Sequence, residues 1–496
     1  MANETYISRH EFLFPFSWFF VEKSKYNHRG YSHEMEAHLL QELKGWVSVV
    51  DTPASFQKYN EKVYFYPAVQ PVLYPNTKNN LVKIYKRKQQ MSDYIEIESL
   101  KGTYRLDLVQ ITLKLYRTGI GILDFVLINK NYEEEEAITA INNLSKSIYP
   151  YRLPLKEAQE DFFPKSIRLL LGESRVEEQF QKLTKEGDYE LNQCIQHMLG
   201  ESFTTPQASR RTKRHTQLEY VPIMNNRMFV VCVYANEKLY KALKERRVDQ
   251  DRMNRLMNFS YKVKGAQIDY IDLPYITYGI GRFTMVGVHS PTHKVHFYNQ
   301  LVTLAMVQRS SVLHFSNQMA FVSSLSKQEL IDAIRAMYEI YIQFITRIYF
   351  NEVTVEVEGT RIYNALMEQL QVEKELKQLD FEMRETHEYA MLIEKQQAKN
   401  RVDFLTIVGA ALVIPTFVTG FFGMNVLQDK FLDWWQHKEI ALWFNTYVVI
   451  PVLVVMICYT WGNQKSLWGR IKQGLMILIL LVGIGISKLF GCGLTP

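Results

Sequence analysis

The sequence predicts an α/β cytoplasmic domain, then a long helical stalk, then a C-terminal α-helical membrane domain. Three observations predict that order. Short β-rich runs broken by Pro, Asn, Lys and Ser fill much of the region before about residue 290. A highly charged segment without Pro or Gly runs over 360–408. Two uncharged apolar runs, 404–424 and 441–461, follow near the end. At about 1.5 Å per residue each spans about 31 Å, enough for one crossing of a bilayer's hydrocarbon core.

Composition bounds the alternatives. A chain of 496 residues accommodates two or three domains. With 22% charged residues and a mean hydropathy of −0.17, the membrane portion must be a minority of the chain. The balance of 58 Lys+Arg against 52 Asp+Glu, a net +6, is too mild to argue for nucleic acid, and none is expected as a partner. The cysteines at 194, 232, 458 and 492 form no C-x-x-C pair, so neither a zinc ribbon nor a disulfide framework is expected. The apolar stretch 12–21 is short, interrupted by Pro15, and lacks a basic flank or cleavage site. It reads as a buried strand or an aromatic docking segment, which leaves the region before about 400 in the cytoplasm.

Strands are expected at 63–66, 81–86 and 94–98. Tyr104, Leu106 and Leu108 then alternate with Arg105 and Asp107, the period of a half-buried strand. That run turns through 117–121 and continues to 128 as a hairpin. Acids at 133–136 suit the first turn of a helix reaching about 147. Thr118-Gly119-Ile120-Gly121 is echoed by Tyr278-Gly279-Ile280-Gly281. Neither copy opens a G-x-G-x-x-G fingerprint or carries a Walker lysine, so glycines serving a hairpin turn or bulge are the reading, not a phosphate loop.

Arg210, Arg211, Lys213 and Arg214 form a basic stretch that reads either as a solvated loop or as an anion or nucleotide contact. A strand over 227–236 and a charged helix over 237–258 complete this domain, whose expected extent is 1–291. The histidines at 289, 293 and 296 lack reliable ligand spacing and are given surface or packing roles. No Ser-His-Asp, Cys-His, paired-carboxylate or HExxH constellation stands out, and an enzyme is not expected.

The stalk is expected over 292–403. Leu330, Ile334, Met337, Tyr341, Phe344 and Ile348 recur at steps of four and three, an apolar seam for a neighbouring helix. Ser326 with Glu329 reads as a capping box. Val353, Val355 and Val357 alternate like a strand, with nothing nearby to pair. Thr360 is the expected N-cap of the charged helix. Leu376, Leu379, Met383, Ala390 and Ile393 hold a narrow seam along it. Unbroken to Met424, this helix would be about 95 Å long, a length that a ring of copies supports better than a monomer does.

Lys395, Lys399 and Arg401 precede the first apolar run, and Lys465, Arg470 and Lys472 follow the second. Excess basic charge on both flanks places them in the cytoplasm and the loop 425–440 outside. Trp434, Trp435 and Trp443 suit the outer interface, and Trp461 and Trp468 the inner one. A third apolar stretch, 473–494, reads as a third span or as a segment at the inner surface. The membrane domain is thus expected over 404–496.

The first run ends in Gly423-Met424-Asn425, preceded by Thr416-Phe417 and Gly420. This motif at the outer end of the first of two C-terminal spans resembles the CorA family of magnesium transporters. The resemblance implies a homopentamer in the inner (plasma) membrane whose first spans line a Mg2+ pore, with Asn425 forming a ring at its outer mouth. Stepping back by helical turns from Thr416 gives Val413, Gly409, Leu405 and Val402 on the pore side; lipid-facing or packing positions are the competing reading. Glu385 and Glu388 match the place of the family's regulatory Mg2+ site, or are acids of a solvated face. Three features depart from the pattern: the usual loop after the asparagine is missing, Lys399 occupies a position that is usually cation-friendly, and the N-terminal domain is large. They are similar to the divergent CorA-like proteins associated with type III CRISPR systems. That branch implies an antiviral effector opened by a nucleotide messenger, S-adenosylmethionine joined to AMP (SAM-AMP), so a nucleotide ligand is the alternative to a Mg2+ channel.

Overall fold

A computed structural model describes residues 6–20, 43–49, 56–75, 81–152, 164–182, 191–205, 218–224, 227–245, 252, 256–257, 268–292 and 298–423. Along the chain the first strands are β1 (Ser8–Phe20), β2 (Trp46–Ser48), β3 (Val82–Arg87), β4 (Tyr94–Glu98), β5 (Thr103–Tyr116) and β6 (Ile120–Asn129). They are followed by β7 (Tyr151–Arg152), β8 (Ser166–Leu171), β9 (Ser174–Gln179), β10 (Gln181–Lys182) and β11 (Phe203–Thr204). The last are β12 (Leu218–Pro222), β13 (Phe229–Ala235), β14 (Asp269–Asp272), β15 (Ile276–Gly281) and β16 (Thr284–His289). The helices are α1 (Phe56–Val63), α2 (Gln70–Leu73), α3 (Glu135–Asn142), α4 (Gln193–Leu199) and α5 (Glu237–Lys244). Four more follow the sheet: α6 (Asn299–Val322), α7 (Lys327–Arg347), α8 (Val357–Gln369) and α9 (Val372–Gly423).

The apolar stretch around residue 15 is the middle strand of a 14-stranded sheet ordered β14-β15-β16-β13-β1-β6-β5-β4-β8-β9, with β12 also on β1 and β3 also on β5. On one side β1 runs antiparallel to β6, from Ser8 opposite Asn129 to Ser17 opposite Ile120. On the other side it meets two strands in succession, β13 up to Leu13 and β12 from Phe16. Pro15 falls in the gap between them. Its carbonyl accepts from Ile223 N–H at 3.3 Å, so its missing donor lies on that same side and costs the β6 ladder nothing.

Alternation sets the two faces of this sheet apart. Phe12, Phe14, Phe16 and Trp18 join Leu113, Leu115, Leu123 and Phe125 in one apolar cluster, completed by Ile141 of α3 and by Ile195 and Met198 of α4. Phe12 stacks on Phe125 with ring centroids 5.1 Å apart. The opposite face carries Glu11, Ser17, Lys114 and Asp124, all contacting one another or α6, which packs on β1 and β6.

The glycine echo splits in the structure. Gly119 has φ +82 at the β5–β6 turn, and Gly121 already lies in β6, where a Cβ would sit 2.4 Å from the Phe16 ring. Gly279 and Gly281 both lie in β15, ahead of the turn at Arg282-Phe283. One pair begins in its turn and the other precedes it, so the two are not equivalent positions.

Several local expectations are corrected. Residues 63–66 are not a strand: Val63 ends α1, Tyr64 N–H bonds to Asn60 O, and Tyr66 N–H goes to Val353 O. The backbone donors are spent on a turn and a distant carbonyl. The helix after the acids is shorter than expected, giving way at Asn143 to a 3₁₀ turn, Asn143–Lys146. Val355 and Val357 are exposed, and no strand forms there. Thr360 lies inside α8, which begins at Val357 after Glu356. The charged helix is also interrupted. Gln371 takes φ +53, a left-handed conformation that ends α8, while Leu370 and Val372 on either side are buried. The helix that follows is therefore about 78 Å long rather than about 95 Å.

The seam of α7 is buried at every predicted position from Leu330 to Ile348, and its N-terminus closes with the Ser326–Glu329 capping box. Against it, Tyr341 Oη donates to Asp380 Oδ1 at 3.0 Å, and Tyr338 stacks on His387 at 4.2 Å. The chain divides into two compact units, 1–387 and 388–496.

Candidate functional site

The predicted pore face lies on α9. Val402, Leu405, Gly409, Val413 and Thr416 are spaced by three or four residues, which puts them on one side of a continuous helix. Val402, Leu405 and Val413 are 60%, 66% and 64% exposed. A Cβ placed at Gly409 or Gly420 would meet nothing within 4 Å. Ile407 and Leu412 are exposed as well, so exposure by itself does not separate this face from the others.

The backbone here is adapted to apolar surroundings. Pro415 stands inside the helix and lacks the N–H that would bond to the carbonyl four residues back. Around it, hydroxyls turn inward: Thr416 Oγ1 donates to Leu412 O at 2.6 Å and Thr419 Oγ1 to Pro415 O at 2.8 Å. Thr406 does the same to Val402 O at 2.9 Å. Threonines bonded this way leave no free hydroxyl proton, which suits a segment deprived of water.

Gly423 is the last described residue. Met424 and Asn425, the loop 425–440, the second run 441–461 and the stretch 473–494 lie outside the described residues, as do Arg210, Arg211, Lys213 and Arg214. Among the described residues, no helix is long and apolar enough to cross a membrane; the uncharged part of α9 reaches their limit. Glu385 and Glu388 are both exposed, and among the described residues no group of three His, Cys, Asp or Glu is placed to hold a metal ion. His289 is buried, its Nδ1 2.8 Å from Ser290 O, in the packing role expected of it. Cys194 and Cys232 are buried free thiols, and burial pushes each up to about 12.

Sequence reasoning passed over a second feature, a cavity of about 300 Å³ lined by Arg227, Arg282 and Arg309. These residues are far apart in the chain and form no motif. The nearest signal was Gly281-Arg282-Phe283, which extends the second glycine pair.

Residues 313–460 match the family model described as CorA-like Mg2+ transporter protein. No curated protein and no solved structure matches the chain. The matched segment takes in the end of α6 and all of α7, α8 and α9, and leaves the β-sheet outside it. Over residues 313–460, then, the chain is similar to a family described as Mg2+ transporters.

Proposed function

We propose that the protein is a CorA-like divalent-cation channel that carries Mg2+ across the inner (plasma) membrane as a homopentamer, its large cytoplasmic domain controlling the gate. The match over 313–460, which includes Gly423-Met424-Asn425, carries this reading. Magnesium gives up its water reluctantly. A ring of Asn425 carbonyls is therefore suited to hydrogen-bond a hydrated ion without stripping it. Behind it, Val413, Gly409, Leu405 and Val402 form an apolar neck able to close by dewetting. Glu385 and Glu388, exposed in one chain, would bind regulatory Mg2+ only together with acids of a neighbouring copy.

Mg2+ uptake by a transport-deficient cell tests the assignment. Asn425→Ala is expected to abolish uptake while the protein still reaches the membrane. Unchanged uptake would sink the pore reading. A second reading, a type III CRISPR-associated effector opened by a nucleotide messenger, is favoured by one observation, the arginine-lined cavity.

A further inference from the structure

The cavity lies within the unit 1–387 and is lined by Arg227, Arg282, Phe283, Arg309, Leu313 and Leu370 among others. Its three guanidinium groups come from separate parts of the fold. Arg227 stands just before β13, Arg282 in the β15–β16 turn, and Arg309 within α6. The Phe283 ring has Arg227 and Arg282 at 5.1 and 5.8 Å from its centroid. Neither of those arginines has an ion-pair partner among the described residues.

Arg309 is only 6% exposed. Its Nη1 lies 2.6 Å from Glu375 Oε2, in the first turn of α9, yet the alignment is not that of a hydrogen bond, and the buried Nη1 has no other acceptor among the described residues. Lys146 lies near Arg227. Burial, and then the charge of Arg227, pushes the Lys146 ammonium down to about 7.

Among the described residues Glu375 is the one carboxylate paired with these three guanidinium groups, and partial burial makes their mutual repulsion stronger than it would be in water. An anion relieves it. Planar guanidinium forks match the oxygen geometry of phosphate, and a Phe ring beside them offers an apolar wall for whatever the phosphate carries. The volume sits at the small end of the range of about 300–1,000 Å³ usual for small-molecule sites.

We propose that this cavity binds a small phosphate-bearing anion through Arg227, Arg282 and Arg309, and that the anion competes with Glu375 for Arg309. Binding would release a carboxylate on α9, the helix whose later residues carry the predicted pore face. Only that consequence rests on the channel reading; the binding does not.

The test is calorimetric titration of the full-length protein in detergent with inorganic pyrophosphate and, separately, with AMP. Saturable binding of at least one probe is expected, weakened roughly tenfold or more in Arg227→Ala/Arg282→Ala. Tighter binding of AMP would add a base against Phe283; equal or tighter binding of pyrophosphate would assign the site to phosphate alone, and either supports an anion site. Glu375→Gln, which removes the competitor, is expected to tighten binding several-fold. No saturable binding of either probe, or unchanged affinity in the double arginine variant, would remove the site. Unchanged or weaker binding in Glu375→Gln would remove the competition. Arg282→Ala alone, at an exposed position, repeats the test should the double variant fail to fold. The titration reads binding without transport, so a failed Asn425→Ala experiment leaves its outcome untouched.

Discussion

Helices α6 and α9 are both long and both hold stretches almost free of charge, yet the fold treats them in opposite ways. Every residue of α6 from 301 to 312 is buried, on all sides of the helix, polar ones included. Several polar groups of α6 are met from within the chain, while the Ser310 and Ser311 hydroxyls find no partner among the described residues. Lys114 Nζ reaches Thr303 Oγ1 at 3.1 Å, Gln308 bonds to Ile348 O and to Tyr363, and His314 Nδ1 lies 2.7 Å from Ser17 Oγ. The far part of α9 has larger apolar residues but leaves Val402, Leu405 and Val413 more than half exposed. A helix that is apolar around its whole circumference belongs in a core or in a membrane. The fold supplies α6 with a core; the described residues supply none for this part of α9.

The largest expected effect breaks the α6 side of this contrast. Lys114 lies 3.4 Å from Asp124 beneath α6, and Glu11 is close enough to oppose a second negative charge there. Lys114→Met should cost about 3–5 kcal/mol in a denaturant or thermal unfolding experiment, because it strands a buried carboxylate. Adding Asp124→Leu should restore most of it. Wild-type melting of the single variant would mean that the polar layer under α6 contributes nothing.

A somewhat smaller effect is read from pH. Burial lowers His10 and His314 to about 4, so between pH 4 and 6.5 the unfolded chain binds more protons at these two sites than the folded one does. Each contributes about 3 kcal/mol that is present above pH 6.5 and lost as pH falls towards 4. Asp124 acts in the opposite sense. Burial, reinforced by Glu11, raises it to about 7, so its share of stability falls as pH rises through the same window. Two groups outweigh one, and the melting temperature should rise from pH 4 to 6.5, less steeply in His314→Gln. A flat profile in the wild type would show that α6 does not keep His314 from water.

Two changes probe the α9 side. Gln371→Gly should stabilise by up to about 1 kcal/mol, since glycine takes φ +53 without the Cβ penalty; destabilisation would mean that the Gln side chain is needed at the break. Val413→Ser is expected to change thermal stability by less than about 0.5 kcal/mol, because the residue is exposed in one chain. Its effect should appear instead as increased ion leak through an assembled channel. A clear loss of stability without leak would place Val413 in a packing role.

Much of this architecture was legible. A short β-rich run located β4, and alternation located the outer part of β5, since a half-buried strand has a period of two. The four-and-three spacing in α7 predicted which residues are buried, and Ser326 with Glu329 marked where that helix starts. Less could be read where long-range contacts override local pattern. The strand-like residues 63–66 bond to their own turn and to Val353, which no window of sequence contains. Gln371 breaks a segment with no Pro or Gly, because burial of Leu370 and Val372 sets the backbone between them. The arginine cavity gave little signal, as a sheet order that joins β16 to β13 brings Arg227 and Arg282 together and α6 adds Arg309.

The sequence by itself determined the local periods, the uncharged runs and the Gly423-Met424-Asn425 motif, because each depends only on residues that are neighbours along the chain. Tertiary structure decided which face of β1 is polar, why Pro15 is harmless, where the charged helix is interrupted, and that three distant arginines share one cavity. Those features arise from which strands pair and which helices cover them, and pairing depends on contacts between residues tens to hundreds of positions apart.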